Sequence, residues 1–347
     1  MDGLITEPKQ KMRRGMSALA NRMASVRHRL SYIPEAVALI SFVLLFIFFS
    51  LAAPNFLTPF SIGNILTFGS ITGIVTVGVA MLMISGEFDL SVGSNFALAS
   101  YVLALSLIAG IPVVIAILLA ILSSTLLGVL NGLIVTRTKI PSFIATLGTL
   151  LAYRGIVRAI GKGSFATYKG DPIPLFKYLN GDFTLLNNWF QVQAFRTSLV
   201  WFILVAVIFS FILMRTRYGN WVFAAGGAAD AASAQGVNVT YVKIMNFALT
   251  GFLVSIASVL QFAHRLSVDP LRGDGMELIV VASSVIGGTR LAGGFGTIIG
   301  AVLGAFLLQM LDQGLVLMQI PIQVFQASVG LIIIISVISN TYLSRSS

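Results

Sequence analysis

The stretch AVALISFVLLFIFFSLAAPNFLTPFSIGNILTFGSITGIVTVGVAMLMISG, residues 36–86, holds no charged side chain over 51 positions. A helix that crosses a bilayer needs about 20 apolar residues, so the stretch is long enough for two. Pro54, Asn55, Pro59 and Ser61 fall near its middle, where breakers inside an apolar run mark a tight turn. A second uncharged stretch of 47 residues separates Asp89 from Arg137 and is interrupted at Gly110-Ile111-Pro112. It too reads as a pair of crossings.

The same logic divides the rest of the chain. Ile140–Tyr153 is an apolar run that ends at Arg154 and Arg158. Residues 161–197 are polar and read as a loop. Ser198–Met214 and Ile244–Ala263 are apolar, separated by the small-residue connection 215–243. After the polar segment His264–Gly275 come Met276–Thr289, Thr297–Met318 and Ile322–Leu343. This gives ten spans. Met276–Thr289 is short enough to be a re-entrant half-helix instead. The expected organisation is a basic tail over residues 1–35 and an all-α polytopic membrane domain over residues 36–343.

Composition agrees. Hydrophobic residues make up 57% of the chain, charged residues 10%, and the mean hydropathy is +0.95. A soluble domain carries about 25% charge. This excludes a soluble enzyme, a disordered chain and a nucleic-acid-binding domain. The net charge of +10 reports orientation. With a basic N-terminus inside, 14 basic residues fall on the inner face and six on the outer, with Arg154 and Arg158 near the outer end of a span. That bias follows the positive-inside rule and gives N-in and C-in. The long basic head and full-length first span argue against a cleaved signal peptide. Met12–Leu30 reads as a solvated tail beside the anionic inner leaflet. The chain has no cysteine and two histidines, which excludes disulfides, thiolate chemistry and a histidine-rich metal site.

The chemistry of an enzyme is missing. No GxxxxGK[ST], HExxH or GxSxG occurs, so no catalytic residue is expected and the chain does not hydrolyse ATP through a P-loop. Asp312 is the clearest intramembrane carboxylate and the candidate for proton coupling. Its neighbours Gln313, Gly314 and Gln319 equally suit a helix end or a polar dimer contact.

Three segments carry more information. The first is a charged turn, ISGEFDLSVGS, with Gly86, Glu87, Asp89, Ser91 and Gly93. It reads either as helix capping or as a gate turn. The second contains Ala225, Gly226, Gly227, Ala228, Asp230, Ala231, Ala232, Ser233 and Gly236. Its small residues allow a short helix over 224–234 with close backbone approach, stopped by Gly236. It reads as a plain connector or as a docking point for a soluble motor. The third runs from Gly273-Asp274-Gly275-Met276-Glu277-Leu278 to Gly287, Gly288, Gly293, Gly294 and Gly296, then Gly300 and Gly304. Gly296, Gly300 and Gly304 repeat every four residues as a packing stripe, inside the subunit or between subunits.

Together these segments resemble the permease subunits of bacterial ABC importers for monosaccharides, the ribose permease family. Gly86–Ser94 is similar to the family's "GGIDLSVGS", with Glu87 in place of a small residue. Gly226–Val237 resembles its cytoplasmic "GGN-x-x-A-A-x-x-SGI", with Ala228 where Asn is usual and Gln235-Gly236-Val237 for the last triplet. Gly273–Leu278 and Gly287–Gly296 resemble "G-x-G-x-E-L" and "GGTSLAGG-x-G", with Arg290 at a small position. Thr146 through Arg154-Gly155 looks like the family's "ATL…RG" stretch. The likeness spans residues 40–337.

The resemblance implies a type II ABC importer-like permease of ten helices in the bacterial inner membrane. It implies a second permease subunit, identical or related, and a cytoplasmic ABC ATPase that carries ATP-Mg. This chain would bind no cofactor, and a periplasmic binding protein would deliver the sugar. Ala225–Gly236 would be the coupling helix. Residues 161–197 and 264–275 would meet the binding protein. The second and fifth spans would line the path, with Thr67, Phe68, Asn95, Thr146 and Thr149 along it. A polyol, nucleoside, autoinducer or branched-chain amino acid remains an alternative cargo. An ion-coupled transporter is the alternative class, and no nucleic-acid partner is expected.

Overall fold

A computed structural model describes residues 35–321, 323–332 and 334. The basic tail, the end of the last expected span and Arg345 lie outside them. The described chain is a helical bundle. In order, its longer helices are α1 (Ala36–Ala52), α2 (Pro59–Ile84), α3 (Val92–Ile108), α4 (Val113–Thr138) and α5 (Ser142–Ile160). A two-residue strand β1 (Ala166–Thr167) and the short helices α6 (Pro174–Asn180) and α7 (Thr184–Phe190) follow. Then come α8 (Ser198–Arg215), α9 (Arg217–Gly227), α10 (Ala229–Ala234), α11 (Val239–Arg265), β2 (Ser267–Val268), α12 (Met276–Ile286) and α13 (Ile298–Leu317). A final apolar helix, α14, covers Gln323–Ile332.

Six of these are long and apolar enough to cross a membrane: α2, α4, α5, α8, α11 and α13. Four shorter apolar helices, α1, α3, α12 and α14, lie among them. Both long uncharged stretches break where the prolines predict, between α1 and α2 and between α3 and α4. Thr58, Thr216, Asn238 and Thr297 start α2, α9, α11 and α13, each accepting a backbone N–H in its first turn. Such caps satisfy amides that have no partner inside the helix. The short segment at 276 folds as an 11-residue helix, about 16 Å long at 1.5 Å per residue, which is half a crossing.

Helix α2 is the axis of the bundle, with Ile74, Val75, Val77, Val79 and Met81 fully buried. α8, α11, α12 and α13 surround it. α4 packs on α11 through a stripe of small residues, Ala116, Ala120, Ser124, Gly128 and Gly132. Ser124 Oγ donates to the Gly251 carbonyl at 2.6 Å. Backbones approach this closely because no side chain intervenes. The opposite face of α4 exposes Ile115, Leu118, Leu122 and Leu126, and α8 exposes Ile203, Val207 and Phe211. A belt of this kind on a charge-poor chain is a lipid-facing surface.

The turns gather at two ends. Residues 85–91, 139–141, 216–238 and 287–297 form one, here the turn end. Residues 161–197 and 266–275 form the other, the loop end, where β1 pairs antiparallel with β2. The stretch 161–197, expected as a plain loop, contains α6, α7 and an isolated bridge between Asp182 and Arg196. Its Pro174 start and the apolar Phe176 and Leu179 seat α6 on the bundle.

Candidate coupling and gate site

At the turn end the three glycine-rich segments meet although they are far apart in the chain. The expected single helix over 224–234 is two, α9 and α10, because Ala228 between them is extended at φ −156° and ψ 76°. The Gly226-Gly227 pair ends α9 with weak helix formers. α10 closes in a Schellman motif: Val237 N–H donates to the Ala232 carbonyl and Gly236 N–H to Ser233, each at 3.0 Å. Ala225 and Ala232 are buried, whereas Gly227, Ala228, Asp230, Ala231, Ser233 and Gly236 are exposed.

Contact here is backbone against backbone. Gly294 N–H donates to the Ile84 carbonyl at 2.8 Å. A Cβ at Gly226 would collide with that same carbonyl, while one at Gly227 would stand 3.6 Å from Gly294. Gly86 and Gly293 press on each other in the left-handed region, at φ 87° and 81°. Side chains of any size would force these segments apart.

From Gly86 the chain runs inward between α4, α5 and α11 before α3 begins. Phe88 N–H donates to Ser142 Oγ and Leu90 N–H to Thr146 Oγ1, both at 3.0 Å. Glu87 forms an ion pair with Lys243 at the start of α11. Asp89 is fully buried. Its Oδ1 accepts the Ser91 N–H at 2.8 Å and the Ser91 hydroxyl at 2.6 Å, and Asn131 Nδ2 stands 3.3 Å from both carboxyl oxygens. Tyr153 Oη holds Asn131 Oδ1 at 2.9 Å. Burial pushes the Asp89 carboxyl above its usual range, against the hydrogen bonds from Ser91 and Asn131 that favour the ion. Neither Asp89 nor Ser91 caps α3 by a side-chain bond. The capping reading therefore gives way to an internal polar cluster.

A cavity of about 330 Å³ opens beside this turn, lined by Glu87, Lys139, Pro141 and Lys243 among others. Gly93, next on α3, meets the segment before α12, where a Cβ would collide with the Gly273 carbonyl and Glu277. Above it, Arg154 of α5 donates to the carbonyls of Pro270 at 3.1 Å and Arg272 at 2.8 Å.

The other sequence candidates distribute as follows. Gly300 and Gly304 pack against the carbonyls of Gly287 and Ser283, so this stripe is internal, joining α13 to α12. Gly296 precedes the Thr297 cap and does not belong to the helix face. Gly288 turns at φ 91° just after α12. Thr67, Asn95 and Thr146, expected along a path, are closed inside the subunit. Thr67 donates to the Ala194 carbonyl at 2.9 Å, Asn95 to Ser124 at 3.2 Å and Thr146 to Ser142 at 2.7 Å. Phe68 and Thr149 are half-buried. The second span is mostly interior because it is the axis of the bundle. Asp312 is half-buried and meets Gln309 at 3.4 Å. Among the described residues no group of three or more His, Cys, Asp or Glu could hold a metal.

Asn131, Ser142, Tyr153 and Lys243 were not singled out in the sequence. Asn131 alone offered a signal, as the one amide in helix α4, since a polar group there needs a partner.

Known proteins resemble the chain over most of its length. Residues 61–337 match the family described as branched-chain amino acid transport system / permease component. The ribose import permease protein RbsC of Escherichia coli K12 is 32% identical over 82% of this chain and 87% of its own length. The same-named protein of Bacillus subtilis 168 is 32% identical over 85% and 89%. The autoinducer 2 import system permease protein LsrC of Salmonella typhi is 33% identical over 83% and 80%. With most of its length inside the family match and relatives above 30% identity, the chain belongs to this family of transport-system permease components.

Proposed function

We propose that the chain is the membrane-spanning subunit of an ATP-driven ABC importer for a sugar. The turn end lies in the cytoplasm, the loop end in the periplasm, and ten segments cross the bacterial inner membrane with both termini inside. A second permease subunit completes the pore. A separate ATPase supplies ATP-Mg, and a periplasmic binding protein delivers the cargo. One observation carries the reading: the 225–236 segment, the 86–93 turn and the 287–296 loop meet at one end of the bundle, backbone against backbone. Such a platform transmits a push from outside to the turn, because stiff contacts shift as a unit. Relatives that import ribose and autoinducer 2 favour a carbohydrate over an amino acid.

In the mechanism, ATP binding closes the ATPase dimer against the exposed face of α10. The platform moves the 86–93 turn and opens the path to the binding protein. Hydrolysis resets it. A path that released its cargo would bind it only weakly. Reconstituted vesicles containing the permease, its ATPase and its binding protein test this with labelled ribose, and leucine as the competing class. ATP-dependent ribose uptake that Gly227→Trp abolishes is the expected result. Unchanged uptake in Gly227→Trp, or uptake without the ATPase, sinks the assignment.

A further inference from the structure

Helix α5 buries five residues: Ser142, Thr146, Tyr153, Arg154 and Val157. The rest of its surface faces outward or is half-covered, including Leu147, Leu151 and Ile156. It is therefore not held in place as a core helix is. Four of its five buried side chains are polar; three hold one of two non-helical segments directly, and the fourth, Tyr153, does so through Asn131. Ser142 and Thr146 accept the N–H groups of Phe88 and Leu90. Tyr153 orients Asn131, whose amide lies against Asp89. Arg154, the next residue, holds the 269–275 segment through two carbonyls and has Asp274 at 3.9 Å.

The two grips belong to opposite ends of the molecule. Arg154 lies about 18 Å along the helix from Ser142, at 1.5 Å per residue. The loop-end segment reaches in to meet the turn directly, since Gly273, the neighbour of Arg272, packs on Gly93. From there α12 leads back to the 287–296 loop and the platform. The 86–93 turn and the 269–275 segment thus share one rod, and neither shifts freely without it.

We propose that α5 couples the two ends, with Tyr153 and Arg154 as positioning residues that make withdrawal of the gate turn and movement of the 269–275 segment one event. The inference rests on the importer reading and adds to it the element that carries the signal across the membrane. Physical intermediacy alone does not establish coupling, so the test reads movement at one end in response to a ligand at the other.

The chain has no cysteine, and Leu271 is 58% exposed. Leu271→Cys therefore gives one labelling site on the permease. The permease–ATPase complex in nanodiscs is treated with a polar maleimide, with and without ATP plus vanadate. Trapping is expected to change the labelling rate at that cysteine by about threefold or more, within the range of such couplings. Tyr153→Phe keeps the ring in place and removes one hydroxyl; Arg154→Met removes the guanidinium. Both are expected to trap nucleotide as before and to lose the response. Arg154→Lys is expected to restore part of it, and Arg158→Met, exposed one turn on, to leave it intact.

The inference is overturned if the original chain's response is absent, if both variants respond as the original does, or if Arg158→Met abolishes the response equally. A complex that traps no nucleotide overturns the importer reading itself, and this inference with it.

Discussion

The turn end and the loop end differ in how closely their segments approach. At the turn end, Gly86, Gly226, Gly293 and Gly294 meet around the Ile84 carbonyl, with main chain touching main chain. At the loop end the main-chain pairing of β1 with β2 is supplemented by side-chain contacts. Thr167 and Ser267 share a hydrogen bond at 2.9 Å, Arg196 pairs with Asp182 at 2.9 Å, and Asn187 brackets the backbone of Phe195 at 3.0 Å on both sides. Such side-chain contacts are several, and each can adjust by a change of rotamer. Backbone contacts have no slack, because nothing between them can change rotamer. A platform that must pass on a displacement needs the second kind, and a surface that meets a changing partner tolerates the first.

The largest effect should come from adding a side chain where the backbones touch. Gly226→Val places its Cβ on the Ile84 carbonyl and close to Gly294 N. No rotamer relieves this, so α9 must back away. We expect a loss of about 3 kcal/mol or more, the scale of overpacking without relief, and uptake at background. Gly227→Ala, with its Cβ 3.6 Å from Gly294, should keep near-original uptake and melting temperature. Equal behaviour of the two variants in thermal melts and vesicle uptake would break the contrast between the ends.

The sequence told much of this and missed a specific part. The helices were legible because uncharged runs and their prolines report directly on bilayer crossing, as at Pro54 and Pro112. The glycine segments were legible as motifs. Their meeting was not, because contact between Gly226 and Ile84 depends on the packing of three segments and leaves no local pattern. The same holds for Tyr153, an ordinary residue on its own helix that only tertiary structure links to Asp89, through Asn131. Thr67 and Asn95 are ambiguous for the reverse reason. A hydroxyl or amide in an apolar helix announces a partner, but not whether the partner is a cargo or the Ala194 carbonyl.

A middle-sized effect tests how the polar cluster is held. Burial raises the Asp89 carboxyl, so the folded protein keeps a proton that the unfolded chain has released at ordinary carboxylate pKa, about 3.9. The stabilisation from protonated Asp89 is full below that value and drains away as pH rises through the raised one. Melting temperature of the permease should therefore carry a pH-dependent component that falls with rising pH. Asp89→Asn keeps an acceptor for the Ser91 N–H and a neutral group in the cluster. It should flatten that component and shift the melt by a few degrees at most at neutral pH. An unaltered pH profile in the variant would assign the proton elsewhere.

The smallest structural effects belong to the loop end. The Asp182–Arg196 pair has one partner more than half exposed, and such pairs contribute about 0–1 kcal/mol. Asp182→Ala should move the melting temperature barely at all. Trp189 is sharper as a probe. It is 78% exposed and stacks on Phe190 with ring centroids 5.9 Å apart. A large aromatic left in water on a surface with so few charges suits an interface, where Trp is often an anchor worth about 2 kcal/mol or more. Trp189→Ala should leave folding and uptake at saturating binding protein unchanged while raising the binding-protein concentration for half-maximal uptake by about 25-fold or more, each 1.4 kcal/mol being a factor of ten. A titration in vesicles separates the outcomes. If half-saturation holds still, the loop end's side chains serve only its own fold, and the difference between the two ends is one of construction rather than of task.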